Sequence, residues 1–243
     1  MDTPKAVANW ENLYAVNNET RLEVLYQRNR LLDFNEVGKI FRNNIKTIEV
    51  PIDEIKNLRN NYISQLTPFL SDINKLEDLK NTNFMQTKFM VYNSSGQLET
   101  TLEKTYMSVT FNRMEELFGN NINNLPSNLK INIPGDDYEF MYFTSNAKEN
   151  VLTKSPKQWS TRFNDTEQYM LNDYFKLYSY EKKIEIEATS VLWSCPSCQQ
   201  YLGAATEHIK SINKGSLDKL KITFKGNTEL KLMGDSRKDY LDK

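Results

Sequence analysis

The spacing of apolar residues changes twice along the chain, and each change marks a different kind of element. From residue 10 to about 80 apolar positions recur at helical spacing, first Leu22, Leu25, Tyr26 and Leu32, then Ile52, Ile55, Leu58, Tyr62, Ile63 and Leu66. Pro51 and Asp53 suit the first turn of that second helix, where a missing N–H costs nothing and a carboxylate complements the helix dipole. Pro68 then interrupts the pattern, and Leu70, Ile73, Leu76 and Leu79 continue beyond it. With no cluster of ligand-type residues here, residues 1–83 are expected to form a mostly helical region with a packing or delivery role.

Near Phe84 the period becomes that of a strand. Thr87 to Tyr92 is apolar and β-prone, Asn93-Ser94-Ser95-Gly96 is a turn signal, and Leu98 to Tyr106 returns as the second arm of a hairpin. A short helix is expected over Arg113 to Phe118, closed by Gly119. Leu129 to Ile133 and Tyr138 to Thr144 read as two further β-like runs. From Asn164 the helical period returns, with Asn164 or Asp165 as cap, Tyr169, Met170, Tyr174 and Leu177 as the apolar stripe, and an end near Tyr180. Ile184 to Trp193 is a strand, and Ser194-Cys195-Pro196-Ser197-Cys198 opens a second helix whose buried face is Tyr201, Leu202, Ala205, Ile209 and Ile212. Leu220 to Phe224 is the next strand, and the five residues Lys225 to Glu229 before Leu230 to Met233 are too few for a parallel crossover. The expected fold class is therefore α/β with a mixed central sheet ending in an antiparallel hairpin, carried by residues 84–243.

Composition narrows the function classes. The 243 residues include 31 Lys and Arg against 32 Asp and Glu, a net charge of −1, which argues against a strongly basic nucleic-acid binder. At 39% hydrophobic and 12% aromatic residues the chain has the material for a core. The balance is uneven along the chain. Residues 1–90 carry 12 basic and 12 acidic groups, residues 91–150 carry 4 and 8, and residues 151–243 carry 15 and 12, so the basic excess lies with the cysteines. No apolar run approaches the ~18 residues of a membrane span, and Met1 to Trp10 lacks the pattern of a signal peptide. The many Asn residues, several in pairs such as Asn43-Asn44 and Asn123-Asn124, read as compositional bias of the source genome.

The scarcest residues are the most informative. There are only 2 Cys, Cys195 and Cys198, and 1 His, His208, so a disulfide scaffold and any metal site needing several His are excluded. Two thiolates at the start of one helix suit a soft or borderline metal, zinc by default. Asp165-Thr166-Glu167 opens the preceding helix, and two helix starts beside the end of one strand can bring their first residues together.

On those residues the chain resembles the zinc-dependent nucleobase deaminase superfamily, whose signature is a His, Cys or Asp, any residue, then Glu, followed later by Cys-x-x-Cys. The match spans about residues 160–233. Arg162 to Leu171 and Leu192 to Gln199 are similar to the deaminase domains at the C-termini of bacterial polymorphic toxins. The resemblance implies a three-layer α/β/α cytidine-deaminase-like fold, with Asp165, Cys195 and Cys198 as ligands of Zn2+ and Glu167 as the proton-transferring, non-ligating residue. It places Trp193, Thr166 and Arg162 against the substrate. The implied reaction is cytosine to uracil, preferentially in single-stranded DNA, by an effector exported or injected into a recipient cytoplasm and matched by an immunity protein. In this chain Asp165 stands for the commoner His, and Ser194 for the Pro before the first Cys. Zinc with one carboxylate and two thiolates carries a net −1, which makes a bound water less acidic unless neighbouring donors compensate.

Other readings of the same residues stay open. Cys-x-x-Cys also marks redox pairs and structural metal sites. Asp165 could serve only as a helix cap and Glu167 only as a dipole charge. Trp193 could be core, and Lys154, Lys157 and Arg162 a solvated run. Free nucleosides or nucleotides, or RNA, are alternative substrates, and a non-enzymatic binding module with a structural metal is an alternative function.

Overall fold

The computed structural model describes residues 41–133, 165–177, 182–194, 198–199, 202–203, 205–206, 209 and 218–230. Five strands form one mixed sheet: β1 (Ile45–Glu49), β2 (Phe84–Tyr92), β3 (Leu98–Met107), β4 (Lys183–Ser190) and β5 (Leu220–Gly226). Their order across the sheet is β1-β5-β4-β2-β3, parallel from β1 to β4 and antiparallel from β4 through β2 to β3. The helices are α1 (Ile52–Leu66), α2 (Leu76–Lys80), α3 (Phe111–Phe118) and α4 (Thr166–Leu177). Cys198, Leu202, Ala205 and Ile209 lie on a further helix after β4. No helix among the described residues is long and apolar enough to cross a membrane.

Local chemistry explains most of these boundaries. At the β2–β3 turn the Asn93 side-chain oxygen accepts from the Ser95 and Gln97 amides, both at 3.0 Å, while Gly96 takes φ +77°, a region that favours glycine. Thr110 caps α3 through its hydroxyl, and Gly119, at φ +53°, ends it.

The alternation of β2, β4 and β5 sends Phe89, Ile186 and Phe224 to one face. There they pack beneath α4 residues Met170 and Tyr174 and beneath Leu202 and Ile209. On the other face α1 and α3 cover the β2–β3 end, where the Tyr62 ring stacks on Phe84 with centroids 5.1 Å apart. The Thr105 hydroxyl donates to the Leu129 carbonyl at 2.7 Å, so it accepts from the Tyr62 hydroxyl at 3.1 Å. Tyr62→Phe removes that one buried bond without opening a cavity, and chemical denaturation should show a loss of about 1 kcal/mol. Over β4 and β5 this face is charged. Lys183 bonds Glu185 at 2.7 Å and Lys225 bonds Glu187 at 2.9 Å, which holds both carboxyls below their ordinary range.

Three expectations are corrected. Among the described residues β5 carries no closing antiparallel hairpin: it has β4 on one side and β1, parallel, on the other, and Leu230 ends a short 3-10 turn (Thr228–Leu230), while residues 231–233 of the expected last strand lie outside the described residues. Gly226-Asn227 is not a hairpin turn but a clamp on the exit of β1. The Val50 amide donates to the Gly226 carbonyl at 2.8 Å, and the Asn227 side-chain amide donates to the Val50 carbonyl at 2.9 Å. Leu129 to Ile133 is not a strand but a 3-10 turn followed by an isolated bridge from Ile131 to Thr105. The strand expected over Ile184 to Trp193 stops at Ser190: Val191 still alternates into the second core, but Trp193, two residues on and so of the same parity, lies in the first, and the strand period is broken between them. Residues 1–83 thus supply β1 to the sheet as well as helices. Tyr138 to Thr144 lies outside the described residues.

Candidate functional site

Asp165 ends the loop before α4, and its carbonyl accepts from the Gln168 amide at 3.0 Å, the position of an N-cap. Its side chain does something else. Asp165 Oδ2 lies 3.1 Å from Cys198 Sγ, the thiol donating to the carboxylate across 33 positions of sequence. The connection is topological: α4 runs back along the sheet before β4, so its first turn meets the carboxyl end of β4, where the chain enters the Cys198 helix. Asn83 marks this meeting point, since its side-chain amide reaches both Thr166, at the start of α4, and Ser190, the last residue of β4.

The donors suit a zinc ion. A carboxylate oxygen at ~2.0 Å and a thiolate sulfur at ~2.3 Å from a tetrahedral zinc stand ~3.5 Å apart, so the observed pair need open by only ~0.4 Å. Cys198 is buried and Asp165 half-buried, which supplies the low-dielectric surroundings of a protein metal site. Among the described residues no three His, Cys, Asp or Glu side chains form a metal-holding group. Cys195, Arg162 and His208 lie outside them.

Glu167 sits on the first turn of α4, two residues beyond Asp165, and is only 3% exposed. Its Oε2 accepts from the Thr166 hydroxyl at 3.0 Å. A carboxylate is seldom so buried without a partner, and Asp173, as deeply buried on the same helix, has Lys104 and Tyr106. Tyr169, one turn beyond Asp165, donates to the Val109 carbonyl at 2.6 Å. Burial, and then the charge of Asp165, push its phenol well above the ordinary value, so it stays a protonated strut between α4 and the segment after β3.

No family model, curated protein or solved structure matches this chain. Of the residues singled out in the sequence, the structure brings together Asp165 and Cys198, while Thr166 and Glu167, next along the chain from Asp165, bond each other. Trp193 is 8% exposed; it meets Phe224 edge-on at 5.6 Å between centroids, and a Cβ at Gly226 would come within 3.2 Å of its ring. Thr166 is fully buried. Ser194 is buried with its hydroxyl unbonded, while its carbonyl accepts from Gln199 at 2.8 Å.

Sequence reasoning missed Asn83. Its backbone pairs with Ser108, its side-chain oxygen accepts from the Leu192 amide at 3.0 Å, and its side-chain NH2 serves Thr166 and Ser190 at 3.1 and 3.2 Å. The one available signal was the last residue of a polar run, Asn81-Thr82-Asn83, directly before an apolar strand run, in a chain where Asn is common everywhere.

Proposed function

We propose that this chain is a zinc-dependent deaminase with a deaminase-like fold, converting cytosine to uracil in nucleic acid, preferentially single-stranded DNA. In this reading it is a bacterial toxin effector, acting in a recipient cytoplasm and countered by an immunity protein. The observation that carries the reading is the 3.1 Å approach of Asp165 and Cys198 with buried Glu167 on the same helix start. The start of α4 and the Cys198 helix flanking the carboxyl end of β4 support it.

Asp165 and Cys198, with Cys195, would hold zinc, which when bound supplies a Lewis acid that activates water. Glu167 takes the proton released as the water oxygen bonds to the carbon bearing the exocyclic amine, and delivers it to the adjacent ring nitrogen. It then takes the proton of the newly added hydroxyl and passes it to the amine, so that the C=O bond forms as the C–N bond breaks, and one water is consumed and one ammonia released per uracil formed. The burial of Glu167 keeps bulk water from competing for those protons.

Sequencing DNA and RNA from cells expressing the chain tests the reading, with Glu167→Ala as control. C-to-T changes in DNA that vanish in the control are expected. Changes confined to RNA, or deamination of free cytidine alone, would move the substrate class. Their absence throughout, with chelation unfolding the chain, would favour a structural metal in a binding module.

A further inference from the structure

We infer that Asn83 and Thr166 are positioning residues for Glu167, linked to it by a one-way hydrogen-bond relay. The inference rests on the deaminase reading, in which Glu167 moves the protons. Its direction follows from donor arithmetic. The backbone N–H of Leu192 can only donate, and it meets Asn83 Oδ1 at 3.0 Å, so the oxygen of that amide is fixed on the β4 side. The NH2 group then faces Thr166 Oγ1 at 3.1 Å and occupies an acceptor position of the hydroxyl. A hydroxyl has one proton, and Thr166 Oγ1 lies 3.0 Å from Glu167 Oε2, so that proton goes to the carboxylate.

Each bond thus sets the sense of the next, from a backbone amide to the side chain that carries the chemistry. The relay is well anchored. Asn83 exchanges backbone and side-chain bonds with Ser108 at 2.9 and 3.0 Å, which ties it to the ends of both β2 and β3. Thr166 and Ser190 are fully buried, so water has no access to substitute for either hydroxyl. The relay engages Oε2 and restrains the carboxylate through it, which assigns proton transfer to Oε1. A carboxylate free to rotate would spend much of its time misaligned with the reacting water, and misplacement of ~1 Å costs of order 100-fold in rate.

The test is steady-state deamination of a single-stranded oligonucleotide containing one cytosine by the zinc-loaded full chain, comparing wild type with Thr166→Val, Thr166→Ser, Asn83→Asp and the double variant Asn83→Asp/Thr166→Val. Thr166→Val keeps the side-chain shape but removes the donor, and kcat should fall by ~30-fold with KM unchanged. Thr166→Ser restores the hydroxyl and should recover kcat to within ~3-fold of wild type. Asn83→Asp still accepts from Leu192 but now also accepts from Thr166, drawing the hydroxyl proton away from Glu167; it should lose about as much as Thr166→Val. The double variant should lose no more than either alone. Multiplying losses would make Asn83 an independent structural staple and overturn the relay, as would a Thr166→Val enzyme with wild-type kcat. If Thr166→Val does not fold, undiminished kcat in Asn83→Asp is equally decisive against it. A wild-type chain that forms no uracil overturns the deaminase reading and this inference with it, whereas an active wild type with unaffected variants overturns the relay alone.

Discussion

Replacing Glu167 by Gln should lower kcat at least ~100-fold while leaving zinc content and folding unchanged, since positioned acid–base groups contribute ~100- to 10,000-fold. The substitution is isosteric, and the amide oxygen can still accept from the Thr166 hydroxyl that bonds Oε2 at 3.0 Å in the native chain. What the amide cannot do is take a proton from water and return it to the base. Because Glu167 is 3% exposed, buffer cannot readily reach the site to replace it. Single-turnover kinetics with metal analysis of the same samples separates the two roles open to this residue. Activity lost with full zinc identifies the proton shuttle, whereas joint loss of zinc and activity would make Glu167 a ligand.

The second large effect concerns the metal. Asp165 has two roles: its carbonyl accepts from the Gln168 amide as α4 begins, and its carboxylate faces Cys198. Asp165→Asn keeps a good cap and removes the charge, so stability should change by no more than ~0.5 kcal/mol. Zinc affinity, by contrast, should fall by ~100-fold or more, since outer-shell substitutions alone cost ~10- to 100-fold. Cys198→Ser should show the same loss of zinc. Asp165→His should retain zinc and activity, because imidazole is the commoner ligand in the family the motif resembles. Competition with a chromophoric chelator measures all three. If Asp165→Asn binds zinc as wild type does, its carboxylate is a cap neighbour and nothing more.

Local patterns in the sequence revealed local structure well. The spacing of Ile55, Tyr62 and Leu66 marked α1, Asn93 to Gly96 marked the β2–β3 turn, and Asp165 marked the start of α4. The pairing of Asp165 with Cys198 was legible because each lies at a helix start flanking the same strand. Long-range pairing was not. β1 is five residues long, and its register, Ile45 beside Ile222, is fixed by a strand far along the chain, so no window around Ile45 contains its partner. The same blindness produced the false hairpin: Gly226-Asn227 has the composition of a turn, but its polar groups are used by Val50. Asn83 was hidden for a related reason, since it acts through Thr166, Ser190 and Leu192, at least 83 positions away.

In the proposed function Asp165, Glu167 and Cys198 would form one hydrolytic site. Incubating the zinc-loaded chain with a single-stranded oligonucleotide, then excising uracil and cleaving the abasic strand, tests it most directly. Cleavage at cytosine positions is expected with wild type and none with Glu167→Gln. Intact strands after treatment with folded, zinc-loaded wild type, together with unreacted cytidine and RNA, would contradict it.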